Sequence, residues 1–203
     1  MLTLYHAPHS RSTRILDLIH AMGIADRVNV RIVSVPRQDG TGGRDPLNPH
    51  PEGKVPLLDH DGVLIWESAA IMLYLADLFP AAEYTVPEGD PERGRFLAWM
   101  FWYAGVMEPV IVQGVAGLDH PVLHTTYRGM AEVADRLRRA LEDGPWLMGD
   151  RFTAADLLIS SPFMWFKDST PDDPLIRDWV DRIASLPWQA TVIELENWHM
   201  AAA

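Results

Sequence analysis

Three short stretches hold the residue types that can bind and polarise a small charged molecule. The first, Pro8-His9-Ser10-Arg11-Ser12, sets two hydroxyls at the start of a helical pattern, where a hydroxyl can cap the helix or donate to a ligand at its positive end. The second, Lys54-Val55-Pro56, places a cation just before a proline that opens an apolar run. A proline at the first residue of a strand is tolerated because that position need not donate a ladder hydrogen bond. The third, Glu67-Ser68, falls where a strand gives way to a helix, so that Ser68 can cap and the free N–H groups favour an anion. Tyr5 supplies another hydroxyl, but its place before Pro8 fits sheet packing better.

The rest of the composition removes other chemistries. The chain has no cysteine, so it has no disulfide framework, thiolate metal site or thiol nucleophile of its own, and sulfur chemistry has to come from a ligand. Eight histidines include His6 and His9 around Pro8, His50 and His60 in loops, and His120 with His124 four residues apart. Two ligands fall short of the three or four that zinc takes, so no metal site is expected. A nucleophile elbow, a phosphate-binding loop and a dinucleotide fingerprint are absent. Seventeen basic against 28 acidic residues give a net charge of −11, which repels nucleic acid and anionic lipid. The start MLTLYHAPHSR lacks a signal peptide's basic and apolar regions, and the richest apolar stretch, residues 96–118, is interrupted by Glu108, Pro109 and Gln113. A soluble, cytoplasmic protein without nucleic-acid or membrane partners is expected.

The elements that must position these residues can be read from periodicity. Leu2 to Tyr5 is β-prone, and Ser12 to Met22 carries Ile15, Leu16, Leu18, Ile19 and Met22 on one helical face, with Gly23 as the stop. Val28 to Val35 reads as a strand, and residues 36–53, crowded with proline and glycine, as loop. Pro56 to Asp59, the Asp61-Gly62 turn and Val63 to Trp66 form a hairpin, followed by a helix from Ser68 to Phe79 that Pro80 ends. Residues 1–80 thus predict a βαβ-ββα domain, 81–91 a Pro-rich linker, and 92–203 an all-helical domain. That second domain contains helices near residues 92–117, 121–141, 153–166, 175–186 and 187 to the end. Residues 81–203 hold 10 basic and 19 acidic residues against 7 and 9 in residues 1–80, so the first domain is nearly neutral and the better host for an anion. Thr153-Ala154-Ala155-Asp156 matches a capping box with Asp in place of Glu, and Phe152 with Leu157 is placed as a hydrophobic staple.

In this order and spacing, PHSRSTR, NPHPEGKVPLL, WESAAIMLYLADLFP and GDRFTAADLLIS resemble the soluble glutathione S-transferase superfamily over nearly the whole chain. The short chain and serine-type start look most like its bacterial, theta, beta and zeta-like branches. The resemblance implies an α+β two-domain protein, thioredoxin-like at the N-terminus and all-α at the C-terminus. It also implies a homodimeric enzyme that takes glutathione as co-substrate, in detoxification, and attacks a hydrophobic electrophile with its thiolate. By the same resemblance Val55-Pro56 is cis and Val55 pairs with the cysteinyl part of glutathione. Lys54 meets the glycyl carboxylate, Glu67 the γ-glutamyl ammonium and Ser68 the γ-glutamyl carboxylate.

A free thiol of pKa about 8.5 is only about 3% ionised at pH 7, and lowering it by roughly 1.5 units needs about 2 kcal/mol. A hydroxyl donor and a helix end can supply that. Ser10 is the first choice, Ser12 the second and Tyr5 the alternative, with Ser12 more simply read as a cap. Arg11 stands where beta-class relatives carry a cysteine, so disulfide exchange through a protein thiol is excluded. Within the aromatic-rich 95–112 segment, Tyr103 and Met107 are the residues expected to line the electrophile pocket. Asp156 is read as structural. Alternatives within the same fold are a glutathione-dependent isomerase or dehalogenase, and a binding protein without catalysis.

Overall fold

A computed structural model describes residues 1–202, with burial given for residues 1–200. Contacts divide the chain into two compact units, Met1–Ala82 with Leu186–Ala203 and Glu83–Ser185. The first unit is therefore discontinuous in sequence. Its last helix, which periodicity alone assigned to the helical domain of residues 92–203, packs with the first 82 residues; Ala203 itself lies outside the described residues.

In the first unit, β1 (Leu2–His6) is followed by α1 (Thr13–Ala21) and β2 (Val28–Ile32), then by the β3 (Leu57–His60) and β4 (Val63–Trp66) hairpin, α2 (Ser68–Leu78) and, from the far end of the chain, α9 (Pro187–Ala202). The sheet order is β2-β1-β3-β4, with β1 parallel to β2 and antiparallel to β3. β1 is buried along its whole length, as a central strand covered on both faces should be, and α1 buries Ile15, Leu16, Leu18 and Ile19. Gly23, at φ +65, ends α1: its N–H donates to the carbonyl of His20 and that of Ile24 to Ile19, which is the helix-closing role of a left-handed glycine. β2 stops at Ile32, short of the Val35 that alternation predicts. Its partner β1 ends at His6, and only one more bond, Val33 N–H to the His6 carbonyl, extends the pairing.

The second unit contains α3 (Arg93–Trp102), a wide π-helical turn at Tyr103–Met107, α4 (Glu108–Val115), α5 (Pro121–Thr126), α6 (Met130–Glu142), α7 (Ala154–Trp165) and α8 (Pro174–Ala184). α3, the turn and α4 run on as one helix, Arg93–Val115, long and apolar enough by length and composition to cross a membrane. It also packs on α7 and buries Phe96, Trp99, Met100 and Trp102, as a core helix does. The single helix read over 121–141 is two, because Tyr127 is extended and Gly129 sits at φ +83. His120 caps α5 by accepting from the Val122 N–H, so its spacing to His124 serves the helix end.

α7 is buried on every side from Ala154 to Phe163, and its start is the capping box read from the sequence. Thr153 Oγ1 accepts from the Ala155 N–H, and Asp156 Oδ2 accepts from the Thr153 N–H at 2.9 Å. Asp156 also does what a cap does not require: its Oδ1 accepts from the Leu147 N–H at 2.9 Å and from Trp179 Nε1 of α8 at 3.1 Å. Burial pushes its carboxyl up to about 6, against the pull of these donors. Replacing it by alanine strands three buried N–H donors, each costing about 1–3 kcal/mol, and removes the acceptor of the Thr153 hydroxyl at 3.3 Å. Urea denaturation of Asp156→Ala should therefore show a loss of about 3–4 kcal/mol, more than the roughly 0.5–2 kcal/mol of a lost cap.

Candidate functional site

The strand registers bring the three chemically promising stretches to one end of the sheet. Tyr5 lies opposite Leu57, and Leu57 opposite Trp66. The end of β1, the start of β3 and the end of β4 therefore coincide, and with them Ala7–Ser12, Lys54–Pro56 and Glu67–Ser68. Lys54 feels this meeting electrostatically. Its partner Glu52 holds its ammonium charged beyond the usual range, Glu67 adds to that effect and Arg11 opposes it. The Lys54–Glu52 ion pair is exposed on both sides, so the ammonium is free to exchange partners in water.

At this end of the sheet α2 begins without a side-chain cap. Glu67 occupies the cap position at φ +70, in the left-handed region, with its side chain exposed and bonded to no helix N–H, while its carbonyl accepts from Ile71. Ser68 is the first helical residue and does not serve as the cap. The first N–H groups of α2 are thus left without a side-chain partner beside a solvent-facing carboxylate, an arrangement able to take an anion and a cation together. Val55-Pro56 is cis. Val55 is partly exposed, and among the described residues its backbone N–H and carbonyl have no partner within the chain.

The hydroxyls separate clearly. Ser10 is partly exposed; its Oγ donates to the Ala7 carbonyl at 2.7 Å and lies 2.8 Å from Ser12 Oγ. Ser12 is fully buried and its side chain makes no cap bond, so both sequence readings of it, as cap and as the group touching a ligand, give way to an interior role. Its Oγ accepts from the Ala7 N–H at 3.1 Å and lies 2.7 Å from His6 Nδ1. Tyr5 is core, packed with Val33 and Leu57, with the Arg31 guanidinium over its ring. Tyr103 and Met107 are 1% and 0% exposed, so this conformation presents neither to a substrate. The wide π-helical turn that carries them turns both inward.

Sequence reasoning missed the buried polar cluster behind Ser12. His6 is fully buried, and its Nε2 lies 2.8 Å from Glu196 Oε1 of α9, angled away from a linear hydrogen bond. Glu196 Oε2 accepts from the Thr13 hydroxyl at 3.1 Å and from the His9 N–H. Burial would raise the Glu196 carboxyl, but the hydrogen bond and charge of His6, with the His9 N–H and Thr13 hydroxyl, hold it below its usual value. The available signal was a stripe on the last helix: Gln189, Val192, Glu196 and His199 recur at helical spacing and are all buried, although three of the four are polar.

Comparison with known proteins places the family and the fold. The family models "Glutathione S-transferase, N-terminal domain" and "Glutathione S-transferase, C-terminal domain" match residues 1–77 and 119–187. The chain belongs to the glutathione S-transferase superfamily. Among curated relatives, it is 32% identical to glutathione S-transferase GstA of Escherichia coli O157:H7 over 61% of this chain and 62% of that protein, just under two thirds of its length. It is 27% identical to the disulfide-bond oxidoreductase YfcG of Escherichia coli K12 over 92% of each chain. Among solved structures, a glutathione transferase of Methylococcus capsulatus superposes with a TM-score of 0.80 at 26% identity, covering 98% of this chain and all of that one. A sphingomonad glutathione S-transferase, complexed with glutathione, superposes at 0.77 with 23% identity over 96% and 98%. The α+β transferase fold, with a thioredoxin-like sheet domain and a helical domain, is thereby established.

The cluster also predicts a pH dependence of stability. Burial first, then the negative charge of Glu196, raise the Asp17 carboxyl to about 7, outweighing the Arg14 guanidinium and the Gln189 amide. Between the unfolded value of 3.8 and about 7 the folded state keeps a proton that the unfolded state releases, so stability is greatest at the acid end and falls as pH rises through that window. The urea midpoint should drop from about pH 5 to about pH 7, and Asp17→Asn should flatten that slope.

Proposed function

We propose that the protein is a glutathione transferase that binds glutathione at the common end of β1, β3 and β4 and uses its thiolate against a hydrophobic electrophile. The observation that carries this reading is the uncapped start of α2 beside Glu67, at the same sheet end as Ser10 and the unpaired backbone of Val55. Glu67 takes the γ-glutamyl ammonium, and Ser68 with the first N–H groups of α2 takes the carboxylate. Val55 pairs with the cysteinyl backbone, and Lys54 exchanges Glu52 for the glycyl carboxylate. Ser10, the partly exposed hydroxyl, donates to the sulfur, and Ser12 stands behind it. The thiol proton leaves to solvent, the sulfur lone pair forms a bond to the electrophilic carbon, and the leaving group departs with its bonding electrons.

We assign the protein to the cytoplasm and to detoxification as a homodimer, with no metal and with neither nucleic acid nor membrane as partner. Exposed Phe101, Val112, Val115 and Leu118 give the helical unit apolar surface for a second copy. Sedimentation should then give twice the 22.8 kDa chain mass.

A second reading is favoured by the oxidoreductase relative. The same thiolate could attack a disulfide sulfur and expel a thiolate, and because this chain lacks cysteine both partners would be ligands. Product analysis separates the two: a thioether conjugate supports transfer, and glutathione disulfide with a released thiol supports exchange.

The deciding measurement for thiol activation is ultraviolet difference titration of bound glutathione against pH. Wild type should show thiolate near neutral pH, and Ser10→Ala should delay it by about 1–2 pH units, the worth of one hydrogen bond to a charged group. Glutathione that binds but remains a thiol in both proteins would leave a binding protein in place of an enzyme.

A further inference from the structure

The carboxylate of Glu196, the ring of His6 and the hydroxyls of Ser12 and Ser10 lie in a line from the interior to the proposed sulfur site, in which Glu196 meets His6 as a close ion pair and hydrogen bonding begins at His6 Nδ1. Its successive separations are 2.8, 2.7 and 2.8 Å. The first three members are buried and only Ser10 is partly exposed. Ser12 cannot be a nucleophile, since nothing reaches it; its position makes it a connector.

A hydroxyl has one hydrogen and two lone pairs, so the direction of donation along such a line is decided at one end. Suppose that His6 carries hydrogens on both nitrogens. Nδ1–H then donates to Ser12 Oγ, which already accepts from the Ala7 N–H at 3.1 Å, so both its lone pairs are filled; its hydrogen goes to Ser10 Oγ or to the Ala7 carbonyl at 3.2 Å, and in either case it cannot accept from Ser10. Ser10 Oγ also accepts from the Ser12 N–H at 3.2 Å, so its own hydrogen can only point outward, to the Ala7 carbonyl in the free protein or to a ligand. Suppose instead that Nδ1 is bare. Ser12 donates to it and keeps one lone pair open to the Ser10 hydrogen, which then competes with a ligand for that donor and favours S–H over S⁻.

We propose that Glu196 and His6 are positioning residues that set this direction: the buried carboxylate keeps the His6 ring doubly protonated, which leaves the Ser10 hydrogen free for the glutathione sulfur. This inference rests on the transferase reading and assigns no bond making or breaking to the line itself. The groups that face His6 are consistent with it. On α9, His199 lies 5.8 Å from its ring, and burial, followed by the charge of His6, lowers the His199 pKa. From α1 come Thr13, which bonds the same carboxylate, and Arg14 and Asp17, whose charges offset each other and whose carboxyl is half-protonated at about pH 7. His9, from the loop, brings Nδ1 within 3.7 Å of Glu196 Oε2.

Two measurements test the proposal on the whole protein. Nitrogen-15 NMR of the His6 ring in the wild type should show both nitrogens protonated at neutral pH; a neutral ring with a bare Nδ1 overturns it without any variant. In the thiolate titration, Glu196→Gln should delay thiolate formation by about one pH unit while glutathione affinity at low pH stays within about twofold. Glu196→Gln combined with Ser10→Ala should be no worse than Ser10→Ala alone, because the line acts only through that hydroxyl. A purely structural Glu196 would lower stability and affinity and leave the titration midpoint in place. A wild-type thiolate that Glu196→Gln does not shift overturns this inference alone. Absence of thiolate in the wild type overturns the transferase reading, and this inference falls with it.

Discussion

The pairing of β1 with β3 is the constraint from which the site follows. With Tyr5 fixed opposite Leu57, the chain leaving β1 and the chain entering β3 must meet at the same edge, and the Asp61-Gly62 turn sends β4 back to that edge. Leu57 and Leu58 point to opposite faces and are both fully buried, and a slip of one residue would put the polar Asp59 in the place of Leu58, so the burial of this pair locks the register. Apolar packing therefore does the positioning, and the polar residues Ser10, Lys54, Glu67 and Ser68 inherit their proximity from it.

Most of this was legible in the sequence because the signals are local. The β3–β4 hairpin carries its own turn, α1 its apolar face and glycine stop, and α7 its capping box, and each forms where its residues demand. Ser10, Val55, Glu67 and Ser68 sit at the ends of those elements, so their place at one end of the sheet could be read from the element order. Boundaries failed where tertiary partners decide them. β2 ends where β1 stops offering bonds, and the 121–141 helix breaks at Gly129, whose backbone leaves the helical region.

What the sequence did not reveal depends on residues far apart along the chain. Nothing near Ser12 announces that its oxygen faces a histidine, and nothing near His6 announces a carboxylate 190 residues later. Ser12 looked like a cap because a serine before a helix usually is one. Its hydroxyl is instead drawn inward, where a buried imidazole and the Ala7 amide offer stronger partners than a helix N–H that water could serve. Tyr103 and Met107 looked like pocket residues for a similar reason: the sequence shows an aromatic-rich helix but not which way a wide turn rotates it.

The seating of α9 against α1 also bears on how the protein is made. The sheet domain occupies the first 82 residues, yet its interior holds His6, which faces the Glu196 carboxylate, and Asp17, which is bonded by the Gln189 amide, both partners lying on α9. On a ribosome the sheet domain would emerge with these groups unmatched and would stay so while the whole helical unit is synthesised, since the helix that completes it follows that unit in sequence. The sheet domain is therefore completed only after the helical unit has been made, and a chain without α9 would lose polar partners inside that domain.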